Sequence, residues 1–299
     1  MNILITGGTG FIGSTLCSHL LEENNKIVVL SRHPEKIKPP IKAISDLNDL
    51  KDSDIFDVVV NLSGEPIANK RWSDKQKNKI ISSRIDITKK LIFYFEKLES
   101  KPKLFISGSA IGYYGIDKTD NVIEEKEKGD NSFSSELCQK WEAVALEAEK
   151  LGIRTCLLRT GVVLGKNGGA LSKMLLPFKL CLGGKIGHGK QWMSWIHIDD
   201  LVGIILYCIN HDNLKGAVNG TSPNPVTNQV FTKTLGVILK RPTIFPMPAI
   251  VVKLLMGEMG EELLLAGKKI IPKKALGAGY TFKYKTLEEA LINILDSTR

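Results

Sequence analysis

Eleven residues near the start of the chain, Ile3-Leu4-Ile5-Thr6-Gly7-Gly8-Thr9-Gly10-Phe11-Ile12-Gly13, leave few choices of fold. Ile3, Leu4 and Ile5 make the short apolar run that a buried parallel strand needs. Gly7, Gly10 and Gly13 follow at three-residue intervals and lead into an amphipathic run from Phe11 to Leu21. Each glycine has its own task. One permits a tight strand-to-helix turn, one lets the backbone approach a diphosphate, and one lets helix and strand pack closely. The amides at the start of the helix then face phosphate groups, aided by the helix dipole. Gly7, Thr9, Gly10, Phe11, Ile12 and Gly13 are therefore the expected phosphate-side residues of a nucleotide site. A glycine triplet alone is a weak signal; its place between a strand and a helix gives it meaning.

Lys26 to Leu30 reads as the second strand and ends at Ser31-Arg32. An acid at that point of a dinucleotide fold accepts from the adenosine ribose hydroxyls and repels an added phosphate. A hydroxyl and a guanidinium suit a 2′-phosphate instead, because arginine can grip it with paired charge-assisted bonds. The expected cofactor is NADP(H), with NAD(H) the less favoured choice. Asp57 to Leu62 is a third strand, running into Ser63-Gly64-Glu65-Pro66, where the backbone can pass close to a ligand.

Ser73 is placed to cap a long helix reaching Leu98, with Ile80, Ile85, Leu91, Ile92 and Phe95 on its core stripe. Arg84 and Thr88, one turn apart, share a face near the site. Lys103 to Ser107 is a strand that opens into Gly108-Ser109-Ala110-Ile111-Gly112-Tyr113-Tyr114-Gly115, which sets hydroxyls at the sheet's mouth. Ile116 to Asn131 reads as a loop, and Ser132 or Ser134 starts the next helix. Ile153 to Thr160 is a strand with Arg159 at the binding edge. Further on, Gly183 to Gly189 resembles a hairpin, and Asp199 is the expected cap of an apolar helix running to Ile209. His197 and the Asp199-Asp200 pair read as structural. Helices are expected at 228–239, 246–256, 261–265 and 287–295.

Apolar residues make up 43% of the chain, enough for a full core. The five cysteines are scattered and odd in number, with no Cys-x-x-Cys pair, so neither a zinc site nor a disulfide framework is expected. The first strand starts too early to leave room for a signal peptide, and no apolar run approaches the roughly 18 residues of a membrane helix. A cytoplasmic protein with no membrane partner is expected. The net charge of +9 comes mostly from lysines spread along the chain, without a basic run interleaved with aromatics, so no nucleic-acid partner is expected.

The Gly7/Gly10/Gly13 turn, Ser107-Gly108-Ser109-Ala110 and Trp195-Ile196-His197-Ile198-Asp199-Asp200 together resemble the extended short-chain dehydrogenase/reductase superfamily. More narrowly, the chain is similar to its atypical branch, the epimerase family of nucleoside-diphosphate-sugar epimerase-like proteins. Asn61 to Ile67, Lys70-Arg71-Trp72, Gly112-Tyr113-Tyr114-Gly115, Cys138-x-x-Trp141-Glu142, Leu158 to Leu164 and Met174 to Phe178 carry that likeness. The segment from about 246 to 296 resembles the branch's end domain. The resemblance implies a Rossmann-like doubly wound parallel sheet over 1–165, with 195–220 returning to it. It also implies a smaller α+β C-terminal substrate domain within 166–299. Ser31 and Arg32 would meet the adenosine phosphate, and Leu62, Ser63, Gly64, Glu65 and Ser107 would line the cofactor. Arg84 and Arg159 would reach its phosphates or nicotinamide side, and Lys79 matches a cofactor-contacting helix position.

The chemistry departs from the superfamily. Its usual Tyr-x-x-x-Lys pair uses lysine to lower the tyrosine's pKa; this chain has Cys138 and Glu142 at those positions. A carboxylate raises a neighbouring thiol's pKa instead. Ser109, Tyr113 and Cys138 are the candidate catalytic residues, with Tyr114 an alternative to Tyr113 and Arg84 or Arg159 as local cation. The expected activity is an NADP(H)-dependent oxidoreductase or epimerase-like reaction on a small hydroxyl or carbonyl substrate, such as a nucleotide sugar. A non-catalytic NADP(H)-binding sensor or scaffold is the alternative. A monomer or homodimer would serve either.

Overall fold

A computed structural model of the chain describes residues 1–51, 54–116, 121–166 and 168–296. The strands are β1 Asn2–Thr6, β2 Lys26–Leu30, β3 Lys42–Ile44, β4 Val58–Asn61, β5 Leu104–Ala110, β6 Val122–Ile123, β7 Arg154–Thr160, β8 Val162–Gly165, β9 Trp192–Met193, β10 Trp195–His197, β11 Gly216–Gly220, β12 Val226–Thr227 and β13 Lys269–Ile270. The helices are α1 Phe11–Glu22, α2 Asp74–Lys97, α3 Phe133–Leu146, α4 Gly169–Lys179, α5 Ile198–Asn210, α6 Asn228–Leu239, α7 Ala249–Met256, a short α8 Glu258–Gly260, α9 Lys273–Gly277 and α10 Leu287–Asp296. A π-helical turn, Glu261–Leu265, continues α8.

Seven strands form one parallel sheet in the order β11-β7-β5-β4-β1-β2-β3. The chain starts in the middle at β1, winds out through β2 and β3, then returns to β4 and winds the other way. That reversal leaves a crevice beyond the carboxyl ends of β1 and β4, where open α/β sheets bind ligands. Alternate residues of each strand serve opposite faces. Ile3, Ile5, Val58, Val60 and Ile106 pack with Leu16 and Leu20 of α1 and Ile204 of α5. Leu4, Val59, Phe105 and Leu157 pack with Leu91 and Phe95 of α2 and Ala145 of α3. The period of two thus survives inside apolar runs because both faces are covered by helices. Each fully buried aliphatic side chain here contributes ~1.5–3 kcal/mol of transfer free energy.

A separate core around Trp195, Phe231 and Leu291 joins α4, α6 and α10. A smaller cluster of Trp72, Ile80, Leu137 and Met259 ties α2 and α3 to the α8 turn. Among the described residues no helix is long and apolar enough to cross a membrane.

Several local expectations need correction. The stretch 116–131 is not all loop: β6 lies in it and pairs in parallel with β13, while 117–120 lie outside the described residues. Gly183–Gly189 is not a hairpin. Its Ile186 bridges Met247 from far along the chain. The cap of α5 is His197, whose Nδ1 accepts the Asp199 amide at 3.1 Å. Asp199 lies in the first turn instead. Asp200 is buried and accepts the amides of Lys283 and Tyr284 at 2.7 and 2.9 Å, pinning the C-terminal segment to α5. Burial holds the His197 pKa below its usual value, outweighing the nearby Asp199 and Asp200 carboxylates. That suits a ring that must keep Nδ1 free to accept.

Candidate active site at the carboxyl ends of the strands

The glycine turn divides its work as its spacing suggests. At Gly7, where φ is +73°, a Cβ would stand 2.7 Å from the Leu62 carbonyl and 2.8 Å from the Ser63 amide nitrogen. At Gly13 it would meet the Gly7 carbonyl oxygen at 2.2 Å. Both positions are closed against backbone, so no side chain fits. At Gly10 the only neighbour is the Gly7 oxygen at 3.2 Å, and the residue is exposed. Gly10 starts α1 without a side-chain cap bond. The first amides of α1 therefore open onto the crevice with the positive end of the helix dipole behind them. Thr9, Gly10, Phe11, Ser14 and Lys166 line a cleft there. The Phe11 ring itself turns away, onto Gly165 and Gly168. Ile12 is half-buried in the first turn.

Leu62 and Ser63 follow β4 and stand against Gly7. Beneath them a buried chain of hydroxyls and amides fixes the strand ends. Thr6 Oγ1 donates to Asn61 Oδ1 at 2.6 Å, and Asn61 Nδ2 donates to Thr88 Oγ1 at 2.9 Å. Thr88 also accepts Trp141 Nε1 at 3.0 Å and donates to the Arg84 carbonyl at 2.7 Å. Every polar atom in that chain is matched, so it rigidifies without leaving an unmet group.

Arg84 is half-buried, stacked against the backbone at Gly64 and 5.4 Å from the Trp141 ring. Its Nη1 donates to the Ile80 carbonyl at 3.0 Å. No carboxylate forms an ion pair with it among the described residues. Burial pulls its pKa down against the pull of Cys138 and Glu65. A desolvated cation with donors to spare at the crevice calls for an anion. Lys79 and Glu65 pair with each other at 3.1 Å on the rim, and that bond holds the Glu65 carboxyl below its usual pKa. Just past β2, Ser31 Oγ accepts the His33 amide at 3.1 Å, and Arg32 is exposed with no ion pair among the described residues.

Arg159 does not reach the crevice as a free cation, which corrects the expectation for it. It is 4% exposed and its donors are engaged: Nε and Nη2 each reach Glu142 at 2.8 Å, and Nη1 reaches Tyr114 Oη and the Glu125 carbonyl at 3.0 Å. Burial alone would lower its pKa, but the bidentate carboxylate raises it overall. Tyr114 is likewise committed, donating to Asn219 Oδ1 at 2.7 Å, with its phenol pushed up by burial to about 12. It therefore drops out as a proton donor. Ser107 is fully buried, its Oγ donating to the Gly108 carbonyl at 3.3 Å, so its hydroxyl does not face the crevice.

The same ion pair governs the remaining candidates. Ser109 Oγ donates to Glu142 Oε1 at 2.6 Å. Cys138 is buried next to both, and its thiol is pushed up to about 11 by burial and then by the Glu142 charge. It is a neutral thiol at physiological pH and no nucleophile. Tyr113 is half-buried, with the Arg159 guanidinium carbon 3.3 Å from its ring centroid. Ser109 on β5 and Tyr113 in the turn after it are thus linked through the Glu142–Arg159 pair, with Cys138 buried beside Glu142.

Sequence reasoning missed two features here. In the sequence Glu142 stands only as a misfit beside Cys138, yet it is the acceptor that organises Ser109 and Arg159. Glu262 was not singled out at all. Its two carboxylate oxygens accept the Phe133 and Ser134 amides at 3.0 Å, capping α3 from the C-terminal segment. The absence of a capping bond from Ser132 leaves that helix start open to such a partner.

Comparison with known proteins gives this geometry a family. Residues 3–219 match the NAD dependent epimerase/dehydratase family, and residues 247–294 match a domain of unknown function, DUF1731. The chloroplastic homolog of epimerase family protein SDR39U1 from Arabidopsis thaliana is 39% identical, over 99% of this chain and 87% of its own length. The crystal structure of human SDR39U1 isoform 2 with NADPH superposes with a TM-score of 0.89 at 35% identity, covering 99% of each chain. A nucleoside-diphosphate sugar epimerase from Corynebacterium glutamicum superposes with a TM-score of 0.79 at 31% identity, covering 99% of this chain and 58% of that one. The chain belongs to the NAD dependent epimerase/dehydratase family and carries that family's Rossmann-like fold with a DUF1731 end segment.

Proposed function

We propose that this protein is an NADP(H)-dependent oxidoreductase of the epimerase type, acting on a small hydroxyl or carbonyl substrate of the nucleotide-sugar class. The observation that carries the reading is the open cradle at Gly10 between two glycines closed by backbone, at the point where strand order reverses. The human relative solved with NADPH and the C. glutamicum sugar epimerase support cofactor and substrate class respectively.

Bound there, NADP(H) supplies the hydride donor or acceptor. The Phe11 and Ile12 amides would hold the diphosphate, Arg32 and Ser31 the 2′-phosphate, and Arg84 a further anionic group at the crevice. Leu62, Ser63 and Gly64 would lie along it. Ser109 has one proton and gives it to Glu142; toward the crevice it offers lone pairs. It would therefore accept from a substrate hydroxyl and orient it, rather than polarise a carbonyl. Tyr113 would exchange the proton, with the paired Arg159 under its ring.

The test is a turnover screen over carbonyls and nucleotide sugars with Ser109→Ala/Tyr113→Phe beside the wild type. The double variant should lose turnover and keep NADPH binding. Undiminished turnover would remove both residues from the chemistry. Tight NADPH binding without turnover by the wild type on any substrate would favour the sensor reading, which the absence of a Tyr-x-x-x-Lys pair supports.

A further inference from the structure

The C-terminal half carries a surface that the crevice does not use. Leu176 on α4, Leu180 at its C-cap and Leu182 just beyond are each more than half exposed. The strip 183–187 runs beside 245–247, with the Phe245, Met247 and Gly187 amides donating to the Gly183, Lys185 and Met247 carbonyls. Ile244 and Phe245, also more than half exposed, thereby join the same surface. Two residues after Met247, α7 buries Val252 fully and leaves Ile250, Leu254 and Leu255 65–75% exposed. Single exposed leucines are ordinary; a connected run of this size marks a contact surface.

Its charge says what it contacts. No Asp or Glu occurs between Glu149 and Asp199, or between Asp212 and Glu258, while these two stretches hold thirteen Lys and Arg. The cations there are no denser than along the rest of the chain, as the composition implies; what is missing is the acids that would offset them. Lys179 and Lys185 punctuate the apolar strip. Lys233, Lys240 and Arg241 line a shallow hollow with Val237 just before Ile244. None of these five forms an ion pair among the described residues; Lys253 on α7 does, with Glu261 at 2.8 Å. A second copy of the chain would bring the same cations face to face, which disfavours self-association through this patch. Apolar side chains rimmed by unpaired cations suit a bilayer boundary with anionic headgroups.

We propose that this face, from the end of α4 through 244–247 to α7, docks on the surface of a membrane containing anionic lipids. The expectation of no membrane partner rested on the lack of a spanning helix, and a surface contact needs none. Leucine and isoleucine side chains enter the acyl boundary while Lys240, Arg241 and their neighbours lie at headgroup level. The loop that follows β4 touches both helices that carry the face: on α4 Lys173 Nζ donates to Asn69 Oδ1 at 2.6 Å, and Arg71 Nη1 donates to the Leu254 carbonyl of α7 at 3.5 Å. Docking therefore sets the crevice close to the bilayer.

The test is co-sedimentation of the full chain with phosphatidylcholine vesicles, with and without phosphatidylserine, at low and high salt. Binding is expected only to the vesicles with phosphatidylserine, and weaker at high salt. Lys240→Gln/Arg241→Gln should weaken it about thirty-fold, at the usual worth of two cations near an anionic surface. Ile250→Ser/Leu254→Ser should abolish it, with melting temperature unchanged because both side chains are exposed. Failure of the folded wild type to bind, or equal binding by both variants, overturns the proposal. So does a wild-type dimer that Ile250→Ser/Leu254→Ser dissociates, since the patch would then belong to a second copy.

Discussion

Replacing Glu142 with Gln removes one charge and little else. Gln keeps an acceptor for Ser109, but the Arg159 guanidinium, 4% exposed, is left without its counter-charge. Breaking a buried ion pair from one side costs ~3–5 kcal/mol, because the remaining charge stays desolvated. For a chain of this size 1 kcal/mol moves the melting temperature by about 2 °C, so a drop of about 6–10 °C is expected. Differential scanning calorimetry of wild type, Glu142→Gln and Glu142→Gln/Arg159→Met measures it. The double variant should recover a substantial part of the loss, since replacing both partners removes the orphaned charge. A single-variant drop under about 2 °C, or a double variant worse than the single, would refute the assignment of Glu142 as the group that fixes Arg159.

Gly13→Ala places a methyl 2.2 Å from the Gly7 oxygen, so it should destabilise the turn and abolish NADPH binding by calorimetry. Arg32→Ala should cost NADPH roughly 10–100-fold in affinity, the worth of charge-assisted bonds to a phosphate, and leave NADH unchanged. His197 has a folded pKa below its unfolded value of about 6.5, so the unfolded chain binds the extra proton first. Its contribution to stability is whole above that value and is lost as pH falls below it. His197→Asn, which keeps a capping side chain, should flatten urea-midpoint curves in that range relative to wild type.

The strand-turn-helix at the start, the second strand, the Ser73 cap of α2 and helix 228–239 were all legible, because local pattern and burial agree there. What escaped depends on partners distant in sequence. Arg159 at the end of an apolar strand looks like a ligand group until Glu142, on a neighbouring helix, is seen to take its donors. Asp199 looks like a cap because the rule favours acids there, yet His197 does the same work with a ring nitrogen. The β6–β13 pairing joins segments well over a hundred residues apart, and no local signal announces it. In the crevice the glycines were readable and the committed hydrogen bonds of Ser107, Tyr114 and Arg159 were not. A hydroxyl or guanidinium has the same letter whether it faces a ligand or a carboxylate.

Isothermal titration of the folded wild type with NADPH and, separately, NADH tests the central claim most directly. The cradle at Gly10 with Arg32 just past β2 predicts saturable one-to-one binding, tighter for NADPH. No heat with either nucleotide, or equal affinity for both, would contradict it.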